Sequence, residues 1–301
     1  MNTGPGGGGA GGGGAGDGDG EGDGDGDGAS IDRRRHVAEY FRLQRWEIPA
    51  TGGAEGFSEF GGRAPLDRHL RNAAGGLRTG ALLTSLDSLG GLLSGLSVHP
   101  RWIVTTSIAA TVARLDHAGP LRLQGRILRR GRNSVVSGLD VVDEGAADRP
   151  VAAATMTCAV LDPGDRELHF ERPYSTAMPS PRPEPPTPED FFCIEPGSGP
   201  VTTLRLADHL RNPWGILHGG AVATLAEVAA CRSVEERGSA GPLAAGDTVL
   251  HYLRPNRVGP VVARCEVLGG GPQRALVRVA VSDLGQDGRL TALGSVAVLT
   301  V

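Results

Sequence analysis

The segment Asn212-Pro-Trp-Gly-Ile-Leu-His218-Gly219-Gly220 runs straight into an Ala- and Leu-rich stretch in which one acid, Glu227, sits among Val222, Leu225, Val228 and Ala229. A helix starting at Gly220 leaves its first N–H groups without intrahelical partners, at the positive end of the helix dipole. Two glycines let a substrate approach those groups closely. Preorganised donors of this kind stabilise the oxyanion that develops when a carbonyl is attacked. Glu227 lies two turns beyond Gly220 on the same side, where a carboxylate could act as nucleophile or base. Asn212 could fix the loop or orient a water, and His218 could shape the same corner. Each feature also has a plainer reading: the glycines could serve tight packing, and the acid could pair with an arginine or cap a loop. Burying an unpaired charge is costly, so Glu227 needs one of these roles.

The same constellation occurs twice. Residues 69–161 align with residues 209–301 without a gap, with 19 identities over 93 positions. His69-Leu70-Arg71-Asn72 repeats as His209-Leu210-Arg211-Asn212, and Gly80, Ala81 and Thr84 repeat as Gly220, Ala221 and Thr224. Gly119-Pro120 recurs as Gly259-Pro260, and Asp143 as Asp283. A gapless register of this length marks a duplication. Glu227 then corresponds to Asp87, set among Leu83, Leu86 and Leu89, and two acids at one repeat position in two apolar helices point to use. The copies differ at the corner, where His218-Gly219 corresponds to Arg78-Thr79.

The elements that must position these groups follow from pattern. Gly220 to Glu236 has no internal Gly or Pro and is apolar on most sides, as a buried helix is. After it, 248–253, 261–268, 275–281 and 290–301 carry β-branched residues bounded by Gly, Pro or Asp, the pattern of antiparallel strands. One buried helix and a run of antiparallel strands per copy is an α+β arrangement whose open face and edge the other copy would cover, giving an intramolecular pseudo-dimer. The expected boundaries are a disordered Gly/Asp-rich tail over 1–29, an N-terminal helix over 30–48, domain 1 over 50–170, a Pro-rich linker over 171–188 and domain 2 over 189–301.

The run from Asn212 to Gly220, with Thr224, Glu227 and the later Tyr252-Leu-Arg-Pro255, resembles the signature of phenylacetate-type (PaaI-like) hotdog thioesterases. The resemblance covers most of domain 2 and, through the repeat, domain 1. It implies a tandem (double) hotdog fold, with an antiparallel sheet wrapped around a central helix in each domain. It further implies an acyl-CoA thioesterase in which the Gly219 N–H holds the oxyanion. In that family one protomer gives the Asn, His and Gly corner and its partner gives the acid and a strand hydroxyl. Carried over, the catalytic set is Asn212, His218 and Gly219 with Asp87 and Thr105. The reciprocal set is Asn72, Arg78 and Thr79 with Glu227 and Ala245, a degraded copy. The resemblance implies no cofactor and no metal, with a coenzyme A thioester as small-molecule substrate. Two other classes stay open: a non-catalytic acyl-CoA-binding or regulatory hotdog protein, and a hotdog hydratase or dehydratase.

Composition narrows the field. All thirty basic residues are Arg, so no Schiff-base or Walker-type lysine exists. The net charge of −4 belongs largely to the tail, which gives no nucleic-acid footprint. Cys158, Cys193, Cys231 and Cys265 show no metal or disulfide spacing, and no leader or membrane-length apolar run stands out, so a cytoplasmic setting without membrane contact is expected. His36, His99, His117, His169 and His251 lack ligand spacing, and Trp102 and Trp214 are expected to pack. The arginines of 122–132 are expected to protect an exposed strand edge, with coenzyme A phosphates as the alternative.

Overall fold

The structure is a computed structural model that describes residues 37–46, 58–162, 164, 176–197, 201–212, 214–239, 241–271 and 273–301. The tail over 1–29, His36 and His169 lie outside the described residues.

Domain 1 contains α1 (Val37–Tyr40), β1 (Gln44–Arg45), β2 (Glu59–Ala64), α2 (Thr79–Val98), β3 (Trp102–Val112), β4 (Leu121–Arg130), β5 (Ser134–Asp143) and β6 (Arg149–Leu161). Domain 2 repeats the order with α3 (Pro188–Phe191), β7 (Ile194–Pro196), β8 (Val201–Leu204), α4 (Gly219–Glu235), β9 (Leu243–Tyr252), β10 (Val261–Gly271), β11 (Arg274–Asp283) and β12 (Arg289–Thr300). From α2 to β6, every element has its counterpart in the second copy 140 positions later, give or take frayed ends.

All the strands join one antiparallel sheet of order β1-β2-β4-β5-β6-β3-β9-β12-β11-β10-β8-β7. The halves meet at β3 and β9, where Ser107 pairs with His251, Ile108 with Leu250, Ala109 with Val249 and Ala110 with Thr248. An edge that each copy would otherwise leave open is therefore closed by its twin. The core lies between the sheet and the two long helices, with Leu82, Leu83, Leu86, Leu89 and Leu93 of α2 essentially without solvent contact. By length and composition α2 could cross a membrane, contrary to the expectation that no such run exists; 83% of that span is buried inside the protein.

The two helices touch at their N-terminal turns through glycine. A methyl group at Gly220 would lie 2.3 Å from Thr84 Cγ2, and one at Gly80 would lie 2.8 Å from Thr224 Cα. Gly-Ala-x-x-Thr, repeated in both helices, is thus the contact that lets the helix starts come together. Thr84 Oγ1 also donates to Gly80 O over 2.6 Å and lies 3.1 Å from Gly220 O, tying the helices to each other.

Three expectations need correction. The helix expected over 30–48 is, in its described part, only α1, because Arg42 takes a left-handed φ of 51° and Gln44–Arg45 pair with β2. A left-handed residue satisfies a helix end and turns the chain away. Cys193, after α3, has φ 53°, the same stop. The strand bearing the arginines of 122–132 is not an edge over Leu121–Arg126, where β2 pairs with it opposite β5. Two of those arginines sit in local pairs, Arg122 with Glu144 and Asp148, and Arg126 with Asp140. The expected linker also yields its last residue to α3, where Pro188 stands in the first turn behind the Thr187 cap.

Candidate active site

At the start of α4 the chain turns through Asn212, whose Oδ1 accepts the N–H groups of Trp214 (3.0 Å) and Ile216 (3.3 Å). Its side-chain oxygen is thus engaged in holding the loop, one of the two roles open to it. Asn72 does the same for Ala74 and Gly76 in domain 1. His218 then occupies the N-cap, its Nδ1 accepting the Gly220 N–H at 2.9 Å. That bond leaves a neutral His218 with its proton on Nε2. The Gly219 N–H, first in the helix, has no acceptor among the described residues.

Asp87 comes from α2 of the other domain and meets this corner. Its Oδ2 lies 3.5 Å from His218 Nδ1, and a methyl group at Gly219 would lie 2.8 Å from that same oxygen. Thr105 on β3 donates its hydroxyl to Asp87 Oδ1 over 2.7 Å. Asp87, Thr105, His218 and Gly219 therefore converge across the domain boundary, with Asn212 bracing the loop. Because Nδ1 already accepts the Gly220 N–H, the Asp87–His218 approach is a contact between two acceptors unless the ring is protonated.

The reciprocal corner is closed. Glu227 Oε1 accepts the Thr79 N–H at 3.0 Å and Oε2 the Gly80 N–H at 3.1 Å. Arg78, in the place of His218, reaches Glu227 Oε2 with Nε at 3.4 Å and Glu189 with Nη2 at 2.8 Å. Burial would lower the Arg78 pKa, but the two glutamates outweigh it and hold the guanidinium more firmly charged than usual. Thr79 Oγ1 donates to Ala245 O at 2.6 Å, where the other corner has the Thr105 hydroxyl facing an acid. Glutamate, one methylene longer than aspartate, reaches down onto the helix start. Asp87, shorter and tied back by Thr105, does not. Asn72 stays a loop brace there, with its amide nitrogen on Leu77 O and Leu115 O.

Four further residues, Tyr252, Trp102, Trp214 and His117, have surroundings that the sequence did not define. Tyr252 donates its phenol to Gly219 O at 3.0 Å. Burial pushes its pKa well above the ordinary value, and the negative charge of Asp87 adds to this, so it stays a donor. Its repeat partner is Val112, so the bond exists at one corner only, and that difference was the available signal. Trp102 and Trp214, expected to pack, do so on each other across the domains, edge to face at 5.9 Å. His117, which lacks ligand spacing, is buried: its Nδ1 accepts the Leu77 N–H at 2.9 Å and its ring braces the domain 1 loop. His99 and His251 are exposed. Cys158 pairs across the strand from Thr105, but burial pushes its thiol up to about 12, so it offers no thiolate at neutral pH. Among the described residues no three His, Cys, Asp or Glu side chains are grouped to hold a metal.

Residues 215–288, from the loop before α4 to the turn after β11, match the family model of the Thioesterase superfamily. No curated protein matches the chain by sequence. Among solved structures, the tesB protein of Mycobacterium avium subs. paratuberculosis superposes with a TM-score of 0.55 at 15% identity, over 85% of this chain and 96% of that one. An acyl-CoA thioesterase II of Mycobacterium marinum gives 0.51 at 17% identity, over 87% of this chain and 96% of that one. A hot dog fold protein of Alicyclobacillus acidocaldarius gives 0.53 at 15%, over 89% and 98%. The chain has the tandem hotdog fold, and residues 215–288 of its second half match the thioesterase superfamily model.

Proposed function

We propose that the chain hydrolyses an acyl thioester of coenzyme A at one composite site, where Asp87 and Thr105 of domain 1 face His218 and Gly219 of domain 2. One observation carries the reading: the helix-start N–H of Gly219 is open beside a restrained carboxylate, whereas the equivalent N–H groups of Thr79 and Gly80 are sealed by Glu227. In the reaction a water gives its proton to Asp87 as its oxygen bonds to the thioester carbon. The Gly219 N–H holds the resulting oxyanion, and collapse breaks the C–S bond and expels the thiolate. Direct attack by Asp87 would pass through an anhydride to the same products. No cofactor enters either route. The spacing of Asn212, His218, Glu227 and Tyr252 favours the phenylacetate-type subtype, and four free thiols suit a cytoplasmic setting. Thiol release from a panel of acyl-CoA esters tests this, with no release from any ester as the outcome that sinks it.

A second reading has an observation behind it. Hydratases place an Asp and a His close together on one loop and helix, whereas Asp87 and His218 come from opposite domains. The fold brings them to 3.5 Å. Loss of the enoyl double bond without thiol release from a 2-enoyl-CoA would favour that reading. The Gly220 N–H on His218 Nδ1 argues against it, because the ring cannot also donate from Nδ1 while neutral.

A further inference from the structure

We infer that α2 carries a groove for the apolar acyl chain, beginning at Asp87 and sized by Gly91. This rests on the thioesterase reading of the Asp87 corner. Gly90 and Gly91 are neighbours with opposite surroundings. A methyl group at Gly90 would lie 2.7 Å from Met156 Cε, so packing requires that glycine. At Gly91 a methyl group would meet one atom only, Ile103 Cδ1 at 4.0 Å, so nothing in the fold excludes a side chain there. Glycine weakens a helix relative to alanine, and at this position no packing return offsets the loss.

Gly91 lies one turn beyond Asp87 on the same side of the helix. With Ser88 and Leu92 it forms the part of α2 that is not buried. The repeat shows that this opening is particular to the helix bearing Asp87. In α4 the equivalent residues are Val228, Cys231 and Arg232, and Arg232 is tied to Thr202 and Glu236. Ile103 of β3 stands across the opening, on the same strand face as Thr105, which holds Asp87.

The test is binding of S-alkyl-coenzyme A thioethers of increasing chain length to the full chain and to Gly91→Leu. Thioethers cannot be hydrolysed, so the readout does not depend on turnover. Wild-type affinity should rise about fourfold per added methylene, the worth of burying one. In Gly91→Leu the rise should level off at a shorter chain. Equal slopes in both proteins would overturn the groove, as would wild-type affinity that ignores chain length. Gly91→Ala supplies the folding control: it should melt no lower than wild type, and a marked drop would show that Gly91 is packed and the groove absent. Chain-length discrimination without any thiol release would keep the groove and reject the hydrolase. Release with flat affinity would do the reverse.

Discussion

Glu227 sits with its carboxylate across the first two N–H groups of the opposite helix, accepting Thr79 N at 3.0 Å and Gly80 N at 3.1 Å. Its repeat partner Asp87 stands over the equivalent helix start without closing it. A duplicated chain has thus put the same acid position to two uses. In one half it caps the opposite helix start at the domain interface; in the other it stands beside a helix-start N–H that stays open. An anion at a helix N-terminus is favourable in either case, whether a side chain or a substrate oxyanion supplies it.

Exchanging each acid for its amide separates these uses. Asp87→Asn should lower kcat by about two orders of magnitude, the scale of a lost acid–base group, with little change in melting temperature. Glu227→Gln should retain most turnover and lose stability by about 1–3 kcal/mol, since a buried Arg78 then lacks its full countercharge. Turnover assays and thermal melts on both variants decide it. Abolished turnover in Glu227→Gln with an active Asp87→Asn would reverse the assignment.

Thr105 acts through Asp87. Its hydroxyl holds Oδ1 at 2.7 Å and so presents Oδ2 toward Gly219. Thr105→Ala should reduce kcat about tenfold, consistent with losing one hydrogen bond to a charged group, while KM changes little. Thr105→Ser should restore most of the rate. Failure of serine to rescue would mean that the methyl group, not the hydroxyl, matters.

Much of this was legible because the repeat is written in identities that chemistry explains. Asn72 and Asn212 recur since each braces the same loop, and Gly80 and Gly220 recur since the helices cross there. What the 140-residue register hid is the start of each domain. Tyr40-Phe41 and Phe191-Phe192 occupy equivalent positions, and Tyr40 stacks on Phe191 at 3.9 Å, but their spacing is 151 residues. An insertion between that segment and the aligned region breaks the register, so α1 read as part of a long helix. His117 was unreadable for another reason: its repeat partner is Arg257, and only the fold shows that it clamps Leu77.

Tyr252→Phe should separate positioning from packing. The phenol bonds Gly219 O, and the same peptide's N–H bonds His218, so the hydroxyl fixes the plane of the peptide that orients the ring. Removing it keeps the aromatic volume. A roughly three- to tenfold fall in kcat is expected, the effect of about one hydrogen bond, with an unchanged melt to within about 1 kcal/mol. An equal fall in stability with full activity would assign Tyr252 to packing alone.

The repeated Asp143 and Asp283 predict acid sensitivity. Burial raises the pKa of each, but bonds outweigh it: Ala118 N, Gly119 N and Arg149 for Asp143, and Gln286 with the amides of Val258, Arg257 and Gly259 for Asp283. Both folded values therefore lie below the unfolded carboxylate value of about 3.9. Their contribution is complete above that pH and disappears as pH falls through the depressed folded values. Urea unfolding should show stability dropping below about pH 4. Asp283→Asn should be less stable at pH 7 and show a shallower acid loss. An unchanged slope would place the sensitivity elsewhere.

Adding one methyl group at each of the two glycines opening α4 makes the strictest comparison. At Gly219 it would fall 2.8 Å from Asp87 Oδ2, the flexible end of a side chain that can move aside. The protein should fold, but with Asp87 displaced from the N–H it serves. At Gly220 the methyl would fall 2.3 Å from Thr84 Cγ2 and 2.6 Å from Thr84 Cβ, close to the backbone of the other helix. Relief there requires the helices to part. Gly219→Ala should therefore lose about two orders of magnitude in kcat, comparable to losing an oxyanion donor, with a nearly native melt. Gly220→Ala should lose about 1–3 kcal/mol of stability from overpacking, and activity in proportion to misplacement of the corner. Measured together, the pair dissociates catalysis from folding at adjacent positions. Full activity in Gly219→Ala would remove this corner from the reaction.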